Sequence, residues 1–128
     1  MLALAVPGAL AFDANDIKLG ASEKDIKQRF PHANCRPLEW PSHAADRRCD
    51  DSRIQFAGVD ARVTFYLRRN AVEGFDVRFH PRDWNHVASF LRARFGSPAA
   101  EAADKGRLEW RQKDERALLS TERDRRRA

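Results

Sequence analysis

Apolar and polar side chains alternate from Arg53 onward, with a period of two. Ile54, Phe56 and Gly58 alternate with Arg53, Gln55 and Ala57. Ala61, Val63, Phe65 and Leu67 alternate with Arg62, Thr64, Tyr66 and Arg68. Phe75, Val77 and Phe79 alternate with Gly74, Asp76, Arg78 and His80. Alternation of this kind marks strands buried on one face only, so three antiparallel strands are predicted. A turn at Arg69-Asn70-Ala71 joins the second to the third. Matching the apolar faces sets Phe65 against Val77 and Tyr66 against Asp76.

On either side the period lengthens to that of a helix. Ser22 and Asp25 stand in capping-box positions, Ile26 and Phe30 share one face, and Pro31 ends the segment. A short helix over 22–30 is predicted. Trp84, Val87, Ala88, Leu91 and Phe95 form a single apolar stripe, with Asp83 as N-cap, Gly96 just past the end and Pro98 blocking continuation. After a linker at 99–106, Leu108 and Trp110 alternate with Arg107, Glu109 and Arg111. Ala117, Leu119 and Thr121 suggest a fifth strand beyond a turn near Lys113-Asp114-Glu115. The order is helix, three antiparallel strands, helix, two strands. It predicts an α+β domain over 12–121, with both helices packed on one face of an antiparallel sheet. Ile26-Lys27-Gln28-Arg29-Phe30-Pro31 also echoes Leu91-Arg92-Ala93-Arg94-Phe95-Gly96, each closing a helix that precedes strands.

Residues 31–52 show no period and carry Pro and Asn breakers, both cysteines and two histidines, so they read as a long loop. Cys35 and Cys49 are predicted to form a disulfide. Closing about 15 residues in this way contributes on the order of 3 kcal/mol. The alternative is a Cys2His2 zinc site of His32, Cys35, His43 and Cys49, although the spacing matches no common finger. Trp40, between Pro37 and Pro41, is expected to pack over the disulfide or the sheet edge rather than to anchor a partner.

Residues 1–11 carry no charge and end in Ala9-Leu10-Ala11, a small-x-small tripeptide. They resemble the back half of a secretory signal peptide, with cleavage exposing Phe12. The last residues, 122–128, are expected to be a frayed basic tail. Composition narrows the class further. A chain with 42% hydrophobic and 34% charged residues is neither fibrous nor wholly disordered. No apolar run reaches the roughly 18–20 residues of a membrane span.

The stretch Ile17-Lys18-Leu19-Gly20-Ala21-Ser22, followed by a short helix and Arg29-Phe30-Pro31, resembles the I-x-L-G-x-[ST] helix start of small exported bacterial proteins. Leu91 to Pro98, followed by a strand bearing Trp110, resembles them as well. Among these are the SmpA/OmlA outer-membrane assembly lipoproteins and the β-lactamase-inhibitor-like domains. The resemblance implies helices on one face of an antiparallel sheet, and binding or scaffolding rather than catalysis. This chain has no lipobox cysteine, and its 31–52 segment is long.

The net charge of +5 is uneven. Residues 12–58 hold eight basic and eight acidic side chains, 59–106 hold eight and six, and 107–128 hold eight and five. If helices cover the Phe65 side, the opposite side displays Arg53, Arg62, Tyr66, Arg68, Arg78, Arg107 and Arg111, interrupted by Asp76 and Glu109. Arginine forks suit carboxylate and phosphate groups. The partner expected there is an anionic envelope component or another protein. Nucleic acid ranks lower, because a single aromatic offers few stacking platforms. His80 and His86 with Asp83 make at best a weak acid–base pair. There is no G-x-S-x-G, phosphate-cradling loop, H-E-x-x-H or Rossmann fingerprint, so neither an enzyme nor a cofactor is predicted. The expected function is that of a non-enzymatic exported protein, periplasmic or secreted, that binds or scaffolds another macromolecule. A small basic cytoplasmic nucleic-acid-binding or regulatory protein is the alternative.

Overall fold

The computed structural model describes residues 12–40, 44–102, 106–112 and 115–120, and for 100–102 only the backbone. The expected signal segment 1–11, His43 and the tail 122–128 lie outside the described residues. The described residues divide into two compact units, one within Asp13–His80 and a second of Phe12 with those from Pro81 to Ser120.

The first unit opens with a small hairpin, β1 (Asp13–Ala14) and β2 (Ile17–Lys18). Helix α1 (Glu23–Arg29) follows, then β3 (Asn34–Pro37), β4 (Arg47–Phe56), β5 (Val59–Arg68) and β6 (Ala71–Phe79). The last four form one antiparallel sheet in the order β3-β4-β5-β6. Ser22 caps α1 as expected: its hydroxyl accepts from the Asp25 N–H, and the Asp25 carboxylate accepts from the Ser22 N–H. The Ser22 backbone N–H, and the Ser22 hydroxyl after it, hold the Asp25 carboxyl below the usual aspartate range. Ile26 is fully buried, and the Phe30 ring lies 5.7 Å from that of Phe65. Val63, Phe65, Leu67 and Val72 fill the same core. The β4–β5 and β5–β6 links are two-residue turns in which both residues take positive φ, Ala57-Gly58 and Arg69-Asn70. That is the hairpin geometry whose twist matches the flanking strands.

The second unit has the 3₁₀ turn Pro81–Asp83, helix α2 (Trp84–Phe95) and a sheet of β7 (Ala100–Ala102), β8 (Arg107–Gln112) and β9 (Glu115–Ser120). Leu108, Trp110 and Leu119 are buried, as are Val87 and Ala88 of α2. The Trp110 indole N–H donates to the Gly96 carbonyl at 2.9 Å, which ties β8 to the C-terminal end of α2. The Phe12 ring meets Phe95 edge-on at 4.9 Å. Asp83 stands at the N-cap position of α2, but its side chain makes no capping bond.

Three expectations are corrected. Two helices on one face of a single sheet do not form: half of the described residues are strand and 22% helix, and the strands fall into three sheets. The 31–52 segment is not a loop, because it supplies β3 and the first half of β4. Those strands are rich in polar side chains and are held by a disulfide and an ionic network, so no apolar alternation announces them. The register is displaced by two: Phe65 faces Phe75, Val63 faces Val77, and Tyr66 faces Gly74. A shift of two keeps every side chain on its expected face, so the hydrophobic pattern does not detect it.

Candidate functional site

The predicted disulfide is present. Cys35 and Cys49 are direct partners across β3 and β4, with a Cα–Cα distance of 4.0 Å. Both sulfurs are therefore committed, and the zinc alternative loses its two thiolates. His32 is exposed and His43 lies outside the described residues. Glu23 reaches within 4.8 Å of both sulfurs, but Arg47 holds its carboxylate at 2.8 Å. Trp40 packs over neither the disulfide nor the sheet edge, because it is 85% exposed. His80 and His86 are exposed and Asp83 is half-buried.

The arginine face divides. Arg107 and Arg111 lie on β8, in the other unit and a different sheet, where Arg111 pairs with Glu109 at 2.5 Å. That bond, with Arg116 and Arg107 nearby, holds the Glu109 carboxyl below its ordinary range. Arg53, Arg62, Tyr66, Arg68 and Arg78 remain on the four-stranded sheet. Its solvent-facing side is banded, because side chains directly opposite one another form rows across the strands.

One row runs Arg36, Arg48, Tyr66, Gly74. Arg36 and Arg48 are like charges directly opposite each other, an arrangement that is unfavourable by itself. Asp50, in the neighbouring row, neutralises both. Arg48 grips it with two bonds of 2.9 and 2.7 Å, Arg36 approaches to 3.2 Å, and the Thr64 hydroxyl donates at 2.6 Å. Burial alone would raise the Asp50 carboxyl, but the bonds from Arg48 and Thr64 and the charges of Arg48 and Arg36 outweigh it. Its pKa therefore lies below the ordinary value. The Arg48 guanidinium, held by Asp50, rises above its own ordinary value and sits 5.8 Å from the centre of the Tyr66 ring. Arg36, Arg48 and Asp50 escape sequence reading because they belong to the misread segment; the i, i+2 pair Arg48-x-Asp50 is the one local signal.

A second row has no such acid at its centre. The β4–β5 register passes from Asp51 opposite Val63 to Ile54 opposite Ala61. Ser52 and Arg53 thus stand together opposite Arg62, which is a bulge. Arg62 in turn faces Arg78 on β6. Arg53, Arg62 and Arg78 are all exposed and occupy three adjacent strands, whose usual spacing is about 4.8 Å. Among the described residues, the side chains of Arg53, Arg62 and Arg68 have no hydrogen bond or ion pair. Arg78 reaches Asp76 only at 3.9 Å, and Asp60 is already bonded to Gln55.

No protein-family model, curated protein or solved structure matches this chain.

Proposed function

We propose that this chain is a non-catalytic binding module of an oxidising compartment, periplasmic or extracellular. Its four-stranded sheet presents Arg53, Arg62 and Arg78 to an anionic envelope component. The observation that carries this reading is the row itself. Three like charges are set side by side, two of them with no described partner, where a closed network of the same side chains exists two positions away. Such a row is relieved by an anion from outside, and arginine forks meet carboxylate or phosphate oxygens directly. The disulfide is consistent with an oxidising compartment. Among the described residues no helix is long and apolar enough to cross a membrane. The resemblance of Ile17–Ser22 and Leu91–Pro98 to exported envelope proteins supports the same role.

Retention on immobilised heparin, used as a polyanion probe, tests the surface. Arg53→Glu with Arg62→Glu should move elution to clearly lower salt. Arg107→Glu with Arg111→Glu, on the other sheet, should leave it much nearer wild type. Equal losses from both double variants would reduce the effect to net charge and sink the assignment. Fractionating cells that express the gene in its native context tests the compartment. A cytosolic product with free Cys35 and Cys49 would overturn it.

A further inference from the structure

The two edges of the four-stranded sheet are unlike. The β3 edge has four residues and ends in Pro37, which lacks an N–H. Short length and proline are the usual guards against edge pairing. The β6 edge has nine residues and no proline. Its backbone directions follow from two independent facts. A Cα–Cα distance of 4.0 Å marks Cys35 and Cys49 as a non-hydrogen-bonded pair. Alternation from Cys49 through Phe65 then aims the N–H and C=O of Phe75, Val77 and Phe79 away from β5. By the same alternation Val72, below the register shift, must also face outward. It does, bonding to Gly20 and Ala21 at 2.8 Å each. Beyond Val72, no described strand pairs with this edge.

We propose that the β6 edge receives a second copy of this chain, antiparallel about a two-fold axis through Val77. In that register Val77 faces its own copy, and Phe75 faces the other copy's Phe79. The outward N–H and C=O groups of Phe75, Val77 and Phe79 bond in both directions. Asp76 falls directly opposite Arg78 of the second copy, twice by symmetry, at the closer, non-hydrogen-bonded positions of the ladder. Opposite charges so placed are favourable, and like charges are not. Asp76 and Arg78 are each about half exposed and meet only loosely within one chain, at 3.9 Å. A two-fold axis demands a self-complementary surface, and the alternation of Asp76 with Arg78 about Val77 supplies one. An unrelated peptide strand would need its own matching charges.

Sedimentation of the full chain over a wide concentration series should show a monomer–dimer equilibrium. Asp76→Arg places arginine opposite arginine and should leave a monomer. Adding Arg78→Asp swaps the signs and should restore the dimer. Amide exchange reads the seam without substitution: Phe75, Val77 and Phe79 should gain protection as concentration rises, while Asp76 and Arg78, bonded to β5, should not. A wild-type chain that stays monomeric with those three amides unprotected would overturn the proposal. So would a folded swap variant that fails to dimerise, or a dimer that survives Asp76→Arg. Arg78 belongs to both the seam and the proposed anion row, but the heparin variants change only Arg53 and Arg62, on β4 and β5, so a chain that proves monomeric leaves the heparin result standing.

Discussion

Two rows of arginine lie on the same side of one sheet, and they behave as opposites. Arg36 and Arg48 face each other across β3 and β4, yet Asp50, Thr64 and the Tyr66 ring absorb both. Arg62 faces Arg78 across β5 and β6, with Arg53 added by the bulge, and among the described residues no carboxylate stands at the centre of that row. The first row is part of the fold. The second is the surface proposed to meet an anionic partner. Counting arginines does not separate them; the position of one aspartate does.

The contrast can be broken from either side. The largest effect should come from the disulfide, which fastens the short edge strand that carries Arg36. Reduction under native conditions should lower stability by about 3 kcal/mol, read as a lower denaturant midpoint than the oxidised chain. An unchanged midpoint would mean that the ionic network holds β3 unaided.

Asp50→Asn should come next, at about 1–2 kcal/mol, because it leaves two facing arginines with no carboxylate between them. The same substitution should open the first row and increase retention on heparin. It also has a pH signature. The Asp50 pKa is lowered in the folded state, so its stabilisation is fully present above the ordinary aspartate value of about 3.8. That stabilisation is lost as pH falls below this value and through the folded pKa. Wild type should therefore lose stability across that acid range more steeply than Asp50→Asn. Parallel curves would show that Asp50 does not couple to folding.

The smallest effect should have the opposite sign. Arg62→Thr removes a charge facing two others and adds a β-branched residue to a central strand. Stability should hold or rise, by up to about 0.5 kcal/mol in chemical denaturation, while heparin retention falls. A clear loss of stability would mean that Arg62 belongs to the fold after all.

Much of this architecture was legible in the chain. The alternation through Ile54, Val63, Phe65, Val77 and Phe79 marks out strands, Ser22 and Asp25 mark a helix start, and Cys35 with Cys49 mark a bridge. Strand β3 and the start of β4 were not legible. Arg47-Arg48-Cys49-Asp50-Asp51 has no apolar period, because its order comes from partners distant in sequence. Exposed Trp40 was misread for a related reason: an aromatic beside prolines carries no local sign of whether anything covers it.

The amino-acid sequence by itself determined which side chains point together, since a period of two commits each strand to its faces whatever its register. It also determined the Arg69-Asn70 turn, the Ser22 cap of α1 and the disulfide, but not the Ala57-Gly58 turn, which falls inside an alternating run. Only the tertiary structure decided which rows those faces make. The register slip from Val77 to Phe75, the bulge that sets Arg53 opposite Arg62, and the place of Asp50 among its partners all arise where strands meet. Sequence patterning is blind to a shift of two residues, whereas electrostatics between neighbouring strands depends on it entirely.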